Sequence, residues 1–189
     1  NAPVLLSLVE DIKQATVEVH LTNDLRKPVT GELRWRLADL DGKDLASGHF
    51  AAKVGPLRHA MVKKLALGKA LGGRAAREAI FYAEFLVGGK AVSDNLTTFA
   101  RPKQLELRDP GMKVYVMECE GGYTVEVSAD KPALWVWMEL GELAARYSDR
   151  FFHLVPGKKV SVEVKPAKPI SKDEFENALR VRSLVDTYR

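Results

Sequence analysis

Apolar residues recur at every second position through most of this chain. In "ATVEVHLTN", Val17, Val19 and Leu21 fall on one side, with Glu18 and His20 on the other. In "GELRWRLADLDGK", Leu33, Trp35 and Leu37 alternate with Arg34 and Arg36. Only an extended strand sends successive side chains to opposite faces, so this period marks half-buried antiparallel strands. Glycines punctuate the rhythm: Asp41-Gly42, Gly88-Gly89 and Gly121-Gly122 stand where a tight turn needs positive φ. A chain written this way folds as packed β layers joined by short turns.

Further along, "DLASGHFAAKV" reads as the partner of the preceding strand. Residues 61–67 read as a strand, and residues 68–78 as a loop with one helical turn. Leu71-Gly72-Gly73 interrupts anything longer, because glycine costs about 1 kcal/mol in a helix interior. "AIFYAEFLVGGKAVSDN" is a hairpin with Phe81, Ala83, Phe85 and Val87 on one face. "FARPKQLELRDPG" holds two prolines and mixed charge, and the strand rhythm restarts after it. The domain boundary is therefore expected near Ala100, dividing the chain into 1–100 and 101–189.

The second half repeats the logic. Strands flank Gly121-Gly122, with Tyr123, Val125 and Val127 on one face, and "KKVSVEVK" sets Val160, Val162 and Val164 inward. Ser171 stands three residues before Glu174, the spacing of a helix-starting capping box. The chain closes with a strand whose Leu179 and Val181 face inward. Strands spaced about 8–12 residues apart predict an all-β chain of two tandem immunoglobulin-like β-sandwiches. Cys119 is the single cysteine, so apolar burial rather than an internal disulfide holds each layer pair together.

Composition narrows the function classes. The net charge of +4 is spread along the 189 residues, +3 in 1–100 and +1 in 101–189. A nucleic-acid binder gathers its basic residues on one face, and no such run occurs here. No stretch nears the roughly 20 apolar residues of a membrane-spanning helix. The chain begins Asn1-Ala2-Pro3 without methionine, the kind of scar a cleaved tag leaves, and reads as a piece of a longer protein.

No motif carries catalysis or a cofactor. There is no HExxH, CxxC, EF-hand loop, P-loop or GxGxxG. Asp39-Leu40-Asp41-Gly42 is a turn without the downstream ligands of a calcium loop. His20 and His49 fall on outward strand positions and read as solvated, with no partner converging on them in sequence. The expectation is thus no catalytic residue, no metal and no cofactor. In "ALWVWMEL", Trp135 and Trp137 share one strand face while Leu134, Val136 and Met138 share the other. Both faces cannot enter one core. The tryptophans are a core element, a docking surface for another domain, or a platform for sugar rings.

One longer stretch is more specific. "LWVWMELGELAARYSDRFFHLVPGKKVSVEV" and the closing "LRVRSLVDTY" resemble the C-terminal immunoglobulin-like domain of β-mannosidases, which are family 2 glycoside hydrolases. Ser148, Asp149, Phe151, Phe152, Leu154, Pro156 and Gly157 match that family's turn signature. Arg150 and His153 depart from it, where the family usually has Asn and Asp. "VHLTNDLRKPVTGELRWRLADLDGK" and "GGKAVSDNLTTFARPKQLEL" resemble the preceding sandwich domain of the same enzymes.

The resemblance implies that the two catalytic glutamates sit on a (β/α)8 barrel elsewhere in the parent, which removes terminal β-D-mannose by a retaining mechanism. A barrel takes about 250 residues, so this chain is expected to be the non-catalytic portion that packs against it; the alternatives are a carbohydrate-binding module using Trp135 and Trp137, or a structural spacer or adhesion module. The implied compartment of the parent is secreted, periplasmic or lysosome-like. Trp135, Trp137, Tyr147, Asp149 and Arg150 are expected to form a docking surface or a rim of the parent's active site, near an oligosaccharide. Ser148, Phe151, Phe152, Pro156 and Gly157 are expected to form a structural turn, with Phe151 and Phe152 anchored by burial.

Overall fold

The computed structural model describes residues 3–73 and 76–188. Asn1 and Ala2, and part of the expected 68–78 loop, lie outside the described residues. The chain divides into two compact units, Asn1–Glu106 and Leu107–Arg189. Each is an antiparallel sandwich of a three-stranded and a four-stranded sheet.

In the first unit, β1 (Val4–Asp11), β2 (Thr16–Asn23) and β5 (Arg58–Ala66) form the three-stranded sheet in the order β1-β2-β5. The opposing sheet runs β4 (Asp44–Val54), β3 (Val29–Asp39), β6 (Ala79–Val87) and β7 (Lys90–Thr98). The alternation names the inner faces correctly: Val17, Val19, Leu21, Leu33, Leu37, Phe81, Ala83 and Phe85 are all fully buried. Burying each such aliphatic or aromatic side chain stabilises the fold by about 1.5–3 kcal/mol. β1 gives no such signal, because Val4, Leu5 and Leu6 are consecutive apolar residues.

After β5 the chain makes a single helical turn, α1 (Gly68–Leu71), which ends at Gly72 in the left-handed region at φ 59°. Among the described residues of this unit, Asn23 is the one buried side-chain amide. Its Nδ2 donates to the carbonyls of Lys27 and Gly55 at 2.8 Å each, and its Oδ1 accepts from the Leu25 amide at 3.0 Å. The start of β3 is thereby tied to the end of β4.

In the second unit, β12 (Phe151–Leu154), β10 (Ala133–Glu139) and β14 (Arg180–Arg182) form the three-stranded sheet with β10 in the middle. β11 (Ala145–Tyr147), β13 (Lys159–Pro166), β9 (Gly122–Ser128) and β8 (Lys113–Cys119) form the other. Tyr123, Val125, Val127, Val136, Met138, Val162 and Val164 fill the core between them. α2 (Lys172–Ala178) starts at Ser171, whose side chain accepts from the Glu174 amide. That cap aims Phe175 inward, where its ring stacks on Tyr123 at 4.0 Å between centroids. The Tyr123 phenol then donates to the Ile170 carbonyl at 2.7 Å.

Candidate functional site

β10 carries the two tryptophans, and its pairing decides where they point. Ala133 opposes Leu154 and Val136 opposes Phe152, with a register shift between the two pairs. Trp135 sits in that irregularity with φ at +48°, a region that bulky residues rarely enter. Ala133, Val136 and Met138 line the sandwich core and neither tryptophan joins it, so the indoles lie on the outer face. Trp135 keeps 36% of its surface exposed, and Trp137 is half-buried.

Neighbouring strands complete an aromatic row. The Trp135 ring meets His153 edge-on at 5.2 Å, and the Trp135 amide donates to His153 Nδ1 at 3.3 Å. Trp137 opposes Phe151 on β12, with ring centroids 6.5 Å apart and planes within 25°. On its other side Trp137 opposes Arg182 of β14, and Arg182 reaches Glu139 at 3.4 Å. One sheet face thus presents flat apolar rings bordered by a paired arginine. Such a face can stack on planar or weakly polar surfaces.

The Tyr147–Arg150 segment forms the corner beside it. Ser148 extends the β11–β13 ladder: its amide donates to the Glu163 carbonyl, and its Oγ accepts from the Glu163 amide, both at 2.9 Å. Asp149 Oδ1 accepts from the amides of Arg150 at 2.7 Å and Phe151 at 3.2 Å. A short acidic side chain can fold back this way and fix a corner. The Arg150 guanidinium lies 4.7 Å from the Tyr147 ring centre. Burial pushes the Tyr147 phenol above its ordinary pKa, and the Arg150 charge works against that rise. Pro156 and Gly157 occupy the centre of a four-residue turn, with Gly157 at φ 83° and the Lys158 amide donating to the Val155 carbonyl at 3.1 Å. Proline then glycine at the central positions is the signature of a type II turn.

The expectation that both phenylalanines anchor this corner by burial is corrected for Phe151. Phe152 packs against the core, but Phe151 is 65% exposed. Adjacent residues of a strand face opposite ways, so one of the two had to point outward.

The reading of His20 as a solvated histidine is also corrected. Its side chain is only 16% exposed, and it joins a chain of polar contacts on the outer face of β1-β2-β5. His20 Nδ1 lies 3.1 Å from His59 Nε2, His20 Nε2 lies 3.4 Å from Glu18 Oε2, and Thr22 Oγ1 lies 3.0 Å from His59 Nδ1. Lys64 Nζ binds the other Glu18 oxygen at 3.1 Å. The lysine contact first, and the histidine contact second, hold the Glu18 carboxyl below its usual range. Sequence could not assemble this cluster, because His20 and His59 are brought together only by the β2–β5 pairing.

Among the described residues no Asp or Glu is buried. Glu18 and Glu32 are shifted downward, whereas a glycosidic general acid needs its pKa raised.

Residues 15–104 match the family described as Mannosidase Ig/CBM-like domain, and residues 107–187 match the Ig-fold domain of the Ig_mannosidase family. β-Mannosidase A of Aspergillus niger is 23% identical over 97% of this chain, which covers 21% of that protein. Mouse β-mannosidase is 42% identical over 66 residues, 35% of this chain and 7% of that protein. Among solved structures, β-D-mannosidase from Dictyoglomus thermophilum superposes with a TM-score of 0.81 at 20% identity, over 96% of this chain and 22% of that one. An exo-chitosanase of Amycolatopsis orientalis shares the fold at a TM-score of 0.65 and 16% identity, over 97% of this chain and 26% of that one. The chain thus spans about a fifth of the Aspergillus relative that it matches along nearly its whole length.

Proposed function

The chain belongs to the immunoglobulin-like domains of β-mannosidases, and on that premise we propose that it is the non-catalytic accessory portion of a family 2 glycoside hydrolase. The parent enzyme removes terminal β-D-mannose from oligosaccharides by a retaining mechanism. This portion packs against the parent's (β/α)8 barrel. The observation that carries the reading is the tiling of the chain by two mannosidase domain families in succession, 15–104 then 107–187. The carboxylates support it. Retaining chemistry needs one carboxyl group kept protonated by an apolar surround, whereas no described Asp or Glu is buried and Glu18 and Glu32 are shifted downward.

The outer face of β12-β10-β14 is the docking surface in this reading, with Trp135, Trp137 and Phe151 as its apolar centre and Tyr147, Asp149 and Arg150 at its margin. Exposed aromatic rings bordered by charge have the composition of an interface core and rim. The same rings support a second reading, a carbohydrate-binding module in which Trp135 and Trp137 stack on sugar rings. The partial exposure of Trp135 is the observation that favours it.

Assay of the folded chain on an aryl β-mannoside tests the first reading: no aglycone is released, and enzyme-like turnover overturns it. Calorimetry with manno-oligosaccharides separates the two. Saturable heat that Trp137→Ala abolishes selects the binding module. No heat up to millimolar sugar, with association to the parent's catalytic domain weakened by Trp137→Ala, selects docking.

A further inference from the structure

We propose that His20 and His59 form a two-imidazole site for a borderline divalent transition ion of the zinc class, on the outer face of the β1-β2-β5 sheet. The donors are placed for it. His20 Nδ1 and His59 Nε2 are 3.1 Å apart. Two nitrogens bound to one zinc at about 2.0–2.1 Å in tetrahedral geometry stand about 3.3 Å apart, so one ion can take both after a small ring rotation. Both residues sit on paired strands rather than on loops. A one-residue irregularity between Val19 and His20, where Val19 opposes Lys63 but His20 opposes Met61, lets both rings reach the same face.

The surrounding hydrogen bonds set the tautomers. A carboxylate can only accept, so the His20 Nε2 facing Glu18 carries the proton, which leaves Nδ1 with its lone pair. Without an ion, His59 donates from Nε2 to that lone pair, and the Thr22 hydroxyl donates to His59 Nδ1. With an ion bound, the His59 proton moves to Nδ1 and Thr22 Oγ1 accepts it. The Thr22 hydroxyl turns from donor to acceptor in the exchange, so both His59 nitrogens stay engaged. Carboxylate and hydroxyl groups behind ligating imidazoles fix ring orientation and strengthen the donor. Lys64 is held by Glu18, so its charge is compensated beside the site. Among the described residues no group of three or more His, Cys, Asp or Glu is placed to hold a metal. The protein therefore supplies two donors and water the remainder.

Titration of the whole chain with Zn²⁺ by calorimetry at neutral pH tests the site. One ion binds per chain with a micromolar dissociation constant. His20→Ala and His59→Ala each weaken it at least about tenfold, and Glu18→Gln weakens it about tenfold by loosening the hold on the His20 ring. His49→Ala and Cys119→Ser leave it unchanged. Thermal melts of the metal-free variants show that folding is retained. Should either histidine variant prove misfolded, Cu²⁺ titration of the unaltered chain decides instead, with nitrogen hyperfine splitting from two imidazoles expected. The proposal is overturned by the absence of saturable binding below millimolar Zn²⁺, by binding that survives His20→Ala, by binding lost in Cys119→Ser, or by a Cu²⁺ spectrum with fewer than two nitrogens.

Discussion

The backbone amide of Trp135 donates to Nδ1 of His153 at 3.3 Å, while the two rings meet edge to face at 5.2 Å. The contact holds a residue whose φ of +48° is unfavourable for any side chain with a Cβ. Glycine adopts that region freely, so Trp135→Gly relieves strain that Trp135→Ala retains. Both variants lose the same indole contacts with His153. Urea denaturation is expected to find Trp135→Gly more stable than Trp135→Ala by about 1 kcal/mol, against the ordinary order of those residues in a strand. The reverse order would mean that Trp135 is not held in the left-handed region.

Asn23 is fully buried, and its one side chain serves three backbone groups. Asn23→Ala leaves the Lys27 and Gly55 carbonyls and the Leu25 amide without that partner. A lost buried hydrogen bond with an orphaned partner costs about 1–3 kcal/mol, so a total near 3 kcal/mol is expected. The loss should appear as a lower denaturation midpoint of the unit Asn1–Glu106, followed by tryptophan emission from Trp35. A loss below 1 kcal/mol would show that water replaces the amide.

Tyr82 is buried, and its phenol donates to Asp94 Oδ2 at 2.7 Å. Burial, then the nearby Asp94 charge, push its pKa well above the ordinary value. The folded state therefore keeps the proton while the unfolded chain loses it near pH 10. This contribution to stability is complete below about pH 10 and declines as pH rises further, by up to about 1.4 kcal/mol per unit. The stability difference between the unaltered chain and Tyr82→Phe should accordingly shrink between pH 9 and pH 11. Denaturant titrations across that range check it, and a constant difference would contradict the raised pKa.

Legibility in the sequence followed the locality of each signal. The inner faces of β2, β3, β6, β9 and β13 were readable, because a buried strand prints its pattern on consecutive residues. The Pro156-Gly157 turn and the Ser171 cap were readable for the same reason. β1 was not, since a continuous apolar run carries no period. Phe152 packs inward as expected and Phe151 does not, because adjacent strand positions face opposite ways. The His20–His59 contact was beyond reach, because the residues are 39 positions apart and their approach depends on an irregularity in a strand pair.

Alternation and turn chemistry by themselves fixed most of the strands and the antiparallel class. Each of those is dictated by steric geometry within a few residues. Which face of β10 enters the core, and which imidazoles meet on the first sheet, was decided only when strands from distant parts of the chain paired. Register is set by long-range burial, and a shift of one residue exchanges the two faces of a strand.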